Sequence, residues 1–111
     1  MWIMVAGPYS AGAPDAAARA ANLRTLNEAA LAVWRKGHVP IIGVNLALPI
    51  IEAAGAAHYD TIMMPVSLAL AERCDACLRI GAASAGADQE VMRFRAAGRP
   101  VFFALDEVPP A

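Results

Sequence analysis

Trp2 to Ala6 is apolar without a break, and Gly7-Pro8 stops it at once. A run so short and so uniformly apolar fits a strand buried on both faces, which needs helices on either side of its sheet. The rest of the chain supplies them. After a turn-rich loop, Gly7 to Pro14, Asp15 opens a long helix in which Leu23, Leu26, Ala30 and Val33 recur at helical spacing, with Arg19, Arg24, Arg35 and Lys36 off that stripe. Gly37 ends it, after two cations that suit a helix C-terminus. His38 to Val44 reads as a second strand. Gly43, Asn45 and Pro49 mark a loop running into a short apolar helix, roughly Leu46 to Ala54, and Gly55 to His58 is a weak connector. Another helix lies between Tyr59 and Arg73, with Pro65 either in its first turn or kinking it. Cys74 to Ile80 reads as the third strand, Ala87 to Ala97 as the last substantial helix with Gly98 as its stop, and Pro100 to Leu105 as the fourth strand. The segment Asp106 to Ala111, with two prolines, is expected to trail off or edge the sheet.

Strands alternating with helices predict an α/β fold: one Rossmann-like or flavodoxin-like domain over residues 1–111, with a parallel sheet of about four to five strands, order 2-1-3-4, and helices on both faces. Ligands bind such sheets at the carboxyl ends of the strands, near the switch point between strands 1 and 3. Three loops converge there, Gly7 to Pro14, Gly43 to Pro49 and Gly81 to Gly86.

Composition bounds the partners. The chain is 59% hydrophobic and 17% charged, with a net charge of −1, which gives ample material for one core and no footprint for a nucleic acid polymer or an anionic membrane. No apolar run is long enough to span a bilayer, and the opening residues lack the basic region of a signal peptide, so a cytoplasmic location is expected. Cys74 and Cys77 form a C-x-x-C pair at the start of a strand, whereas a redox pair usually opens a helix; they read as buried structural cysteines. His38 and His58 stand alone, so no metal site is expected, and no cofactor. Asp75 is expected to cap or satisfy loop backbone. A homodimer or larger assembly is expected from the apolar excess, with helix faces near Met63 and Trp34 as candidate contacts.

The stretch Ser84-Ala-Gly-Ala-Asp-Gln-Glu90 joins the third strand to the last helix. Its small residues let a ligand approach the backbone. Ser84 can cap the helix or hold an anion at its positive end. Glu90 is expected in the first turn, where the dipole favours the carboxylate and so suits a nucleophile; glutamate is also common there simply because it stabilises a helix. The candidate polar set is Tyr9, Ser10, Asn45, Ser84, Asp88 and Glu90, although Asn45 serves equally as a turn or cap residue. Neither the Walker motif, G-x-G-x-x-G nor G-x-S-x-G is present. What remains is a carboxylate beside hydroxyls, a set that can attack an anomeric carbon.

Gly7-Pro8-Tyr9-Ser10 after the first strand and Ser84 to Glu90 after the third resemble the motifs of the nucleoside 2-deoxyribosyltransferase superfamily, in its small, poorly characterised branch. Gly37-His-Val-Pro40 and Gly98-Arg-Pro-Val101 extend the likeness over nearly the whole chain. The resemblance implies cleavage or transfer at the N-glycosidic bond of a nucleoside or nucleoside 5′-monophosphate, with Glu90 as nucleophile and Tyr9 orienting it. Gly7, Pro8, Ser10, Asn45, Ser84, Gly86 and Asp88 are then the substrate-binding candidates. Ser84 stands where related nucleoside 5′-monophosphate hydrolases hold phosphate through a serine. Arg93, one turn beyond Glu90, faces the same opening or solvent. The alternative is a non-catalytic nucleotide-binding module with the same pocket. One position departs from the pattern: an aspartate often lies eight residues ahead of the strand-start acid, and counting back from Asp75 gives Ser67.

Overall fold

The first apolar run is the centre of the sheet. In a computed structural model, which describes all 111 residues, β1 (Trp2–Ala6) pairs in parallel with β2 (Val39–Ile41) on one side and β3 (Ala76–Arg79) on the other, and β3 carries β4 (Val101–Phe102) at its outer edge. The sheet is four-stranded and all parallel, in the order β2-β1-β3-β4. Between the strands run α1 (Ala16–Arg35), α2 (Gly43–Ala54), α3 (Tyr59–Ala71) and α4 (Ala85–Ala96).

Alternation along the central strands builds two cores. Ile3 and Val5 of β1, with Ala76 and Leu78 of β3, point to the face where α1 contributes Leu26 and Val33. Met4 and Ala6, with Cys77, point to the other, where α3 contributes Ala71 and α4 contributes Ala87, Val91 and Phe94. The period of two along a strand forces this division. A third, smaller cluster, Ala47, Ile51 and Met63, joins α2 to α3. Cys74 and Cys77 are free and buried; burial, first of all, pushes their thiols up to about 11 and about 12. They are therefore inert packing groups at neutral pH. Asp75 satisfies strand backbone: its carboxylate accepts the Trp2 N–H at 2.8 Å, and its own N–H reaches the Trp2 carbonyl at 2.8 Å.

Helix ends follow local chemistry. The Asp15 carboxylate accepts the Ala18 N–H at 2.8 Å and starts α1; Gly37, at φ +91, ends its last turn in a conformation that side chains rarely adopt. β1 matches its apolar run, whereas β2, β3 and β4 are shorter than theirs. The second stops at Ile41, and Gly43 to Asn45, expected as loop, are the first turn of α2, which holds Pro49 inside it; α3 likewise holds Pro65 inside and not in its first turn. Both helices tolerate a missing N–H because their apolar residues pack against each other.

The C-terminal segment does not trail off. It folds back over the end of α1. Val108 is buried in the first core, and the Lys36 ammonium donates to the carbonyls of Leu105 at 2.9 Å and Val108 at 2.7 Å. The Ala111 N–H reaches the Lys36 carbonyl at 2.9 Å, and the buried His38 ring lies 2.6 Å from the Pro109 carbonyl. Replacing Lys36 with Ala removes both bonds and leaves the Val108 carbonyl without a partner, while Leu105 still accepts the Val108 N–H at 3.1 Å. The expected loss is about 1–3 kcal/mol, read in urea as a lower midpoint with an unchanged slope; an unchanged midpoint would show that the segment is not held by Lys36.

Candidate functional site

At the carboxyl ends of β1 and β3 the first loop, the start of α4 and one face of α3 enclose a cavity of about 210 Å³. Gly7, Tyr9, Ser10, Ser84, Gly86 and Glu90 line it. Six of the residues singled out in the sequence are therefore brought together. Three are not. Asn45 lies in the first turn of α2 and turns toward α1, where its amide donates to Asn27 Oδ1 at 2.7 Å, in a different cleft. Asp88 points out of the opposite side of α4, 67% exposed and 3.6 Å from Arg79. Pro8 faces away toward Gly81 and α1.

The glycines serve packing first. A Cβ on Gly7 would lie 2.8 Å from the Ile80 carbonyl and 2.9 Å from Leu26, and one on Gly86 would lie 3.1 Å from the Met64 sulfur. Their missing side chains let the first loop settle on β3 and let α4 approach α3. Ser84 is the N-cap of α4, its hydroxyl accepting the Ala87 N–H at 3.2 Å. By their position in the first turn, the N–H groups of Ala85 and Gly86 have no intrahelical acceptor.

Glu90 is the central group. It sits in the second turn of α4, not the first, because the helix begins at Ala85. It is only 8% exposed, and its carboxyl has no ion pair. Burial pushes its pKa from 4.5 up to about 7, with the Arg79 guanidinium pulling the other way. Desolvation outweighs the helix dipole, which fades beyond the first turn. The carboxyl is thus poised between its acid and its anion at neutral pH, where a fully ionised group was expected.

Tyr9 does not hold Glu90 by a hydrogen bond. Its ring packs on the α2–α3 cluster, and its backbone carbonyl accepts the Asn22 amide at 2.7 Å. Tyr59, Met63, Met64 and Ser67 complete the cavity from α3. Tyr59 reaches across the mouth, donating to the Ser10 hydroxyl at 3.4 Å. Ser67 is buried, and its hydroxyl fills the space that a Cβ on Gly43 would take. Met63 is buried too, in the cluster that joins α2 to α3. These α3 residues carry a legible signal, since Tyr59, Met63 and Ser67 are spaced four apart and share one helix face. Arg93 pairs with Glu72 at 2.7 Å and lies outside the cavity.

The raised pKa has a consequence for stability. The folded state holds the Glu90 proton more tightly than the unfolded chain does. The stabilisation is fully present below pH 4.5 and is lost as pH rises through about 7. The interval between 4.5 and about 7 corresponds to about 3 kcal/mol. Glu90→Gln is expected to flatten that slope and to stabilise the fold at pH 8; urea titrations of both proteins at pH 4.5 and 8 measure it, and parallel pH profiles would contradict the buried carboxyl. No family model, curated protein or solved structure matches the chain.

Proposed function

We propose that the protein breaks or transfers the N-glycosidic bond of a nucleoside or nucleoside 5′-monophosphate, with Glu90 as the nucleophile. The observation that carries this reading is the unpartnered carboxyl, more than nine-tenths buried, opening into a cavity at the strand ends. A carboxyl with little water around it is a stronger nucleophile once ionised, because less hydration must be stripped from it. Attack at the anomeric carbon gives a covalent glycosyl intermediate, which water or an acceptor then resolves. Tyr59 and Ser10 at the mouth are placed to meet sugar hydroxyls, and the free N–H groups of Ala85 and Gly86 suit a 5′-phosphate. Ser84 caps the helix by accepting the Ala87 N–H, which leaves its O–H to donate at the same end.

The nucleophile must be ionised, so base release is expected to rise with pH through about 7 and to level above it. Glu90→Gln should leave less than a tenth of the activity, a barrier increase of at least about 1.4 kcal/mol. A flat profile from pH 5 to 9, or an active Gln variant, would remove Glu90 from the chemistry. A binding module without turnover is the second reading, favoured by the single carboxyl of the cavity, with Ser67 where a helper acid would stand. Ligand-induced stabilisation without release of base is its signature.

We assign the protein to a homodimer or larger assembly through α1 and α2. Trp34 and Leu31 on α1 are 60% and 48% exposed, and Leu46 and Ile50 on α2 are 48% and 42% exposed. The Asn45–Asn27 hydrogen bond links these two helices. Light scattering is expected to give a multiple of the chain mass that falls on Trp34→Ser; a monomer mass independent of concentration would contradict it.

A further inference from the structure

The cavity around Glu90 is chemically one-sided. Glu90 is the only residue lining it that can carry charge near neutral pH; no lysine, arginine or histidine faces it. The cations on neighbouring elements lie outside the cavity, although the Arg79 charge still favours the Glu90 carboxylate. Arg79 donates to the Ile80 and Ala82 carbonyls and faces Asp88, and Arg93 holds Glu72. The rest of the cavity lining is uncharged, and it includes the tyrosines Tyr9 and Tyr59 and the thioethers of Met63 and Met64. The volume of about 210 Å³ falls below the roughly 300–1,000 Å³ usual for small-molecule sites. That favours a one-ring base over a two-ring base.

The lack of a second acid decides more. A neutral base leaving C1′ departs as an anion unless something protonates it. Ser67, Ser10 and the two tyrosines offer hydroxyls only, and no second carboxyl lines the cavity to protonate the departing base. A base that is already cationic has no such need. Resting on the N-glycosidic reading above, the geometry points to a cationic one-ring N-glycoside, of the pyridinium riboside type, as the substrate class of this site. The Glu90 carboxylate attracts the cation, and the aromatic faces add to that attraction. One Glu90 oxygen attacks C1′, a C–O bond forms as the C1′–N bond breaks, and the bonding pair passes to the ring nitrogen and cancels its charge. The base leaves neutral with no proton transferred. Water then attacks C1′ of the glycosyl ester, its proton goes to solvent, and Glu90 returns as the carboxylate.

Nicotinamide riboside serves as the cationic probe, with uridine and inosine as neutral ones, all at pH 8, where Glu90 is ionised. Free base is read by chromatography against enzyme-free controls, and binding by calorimetry. The expected result is a kcat/KM for the cationic probe at least tenfold above either neutral nucleoside. Glu90→Gln should weaken binding of the cation at least tenfold and change that of uridine less than threefold. Equal or faster release from uridine or inosine would overturn the cationic preference while leaving the N-glycosidic reading in place. No release from any of the three would overturn both. Equal loss of affinity for cation and neutral nucleoside in the Gln variant would also count against charge recognition.

Discussion

The pairing of β1 with β3 carries the rest of the molecule. Both strands are central, so each must satisfy its backbone on two sides and bury side chains on two faces. Ile3, Met4, Val5 and Ala6 are all buried, as are Ala76, Cys77 and Leu78. A polar residue at any of these positions would face a core with no water to meet it. The pairing also fixes where the carboxyl ends of the strands stop, and there the first loop and the loop into α4 come together. Gly7 closes that junction, since nothing larger fits between Ile80 and Leu26.

Glu90 shows how the same packing sets chemistry. Ala87, Val91 and Phe94 pin α4 to the sheet, and Glu90 is carried inward with them. Gly86 lets α4 approach Met64, which narrows the cavity beside the carboxyl. The helix dipole and Arg79 both favour the anion, yet burial dominates.

The elements of the fold were legible because each announces itself locally. Apolar runs bounded by glycine and proline gave the strands, and the order of elements gave the parallel sheet. Asp15 and Gly37 marked the ends of α1 by their own cap chemistry. The site was legible where a motif sits on a loop at a strand end, as with Tyr9, Ser10 and Ser84. It was less so where a helix decides direction. Asp88 and Glu90 are two residues apart, about 200° around the helix, so they cannot share a face. Asn45 reads as a loop residue only while the start of α2 is misplaced by a turn.

The sequence by itself determined the alternation of elements, the two-faced apolar strands and the hydroxyl-rich loops around one carboxyl, because these depend on periodicity and on residues adjacent in the chain. Only the tertiary structure decided that Glu90 sits near its titration point, that Ser67 and Tyr59 face it from another helix, and that Val108 returns to the first core. Desolvation depends on everything that surrounds a group, and those neighbours come from segments far apart in the chain.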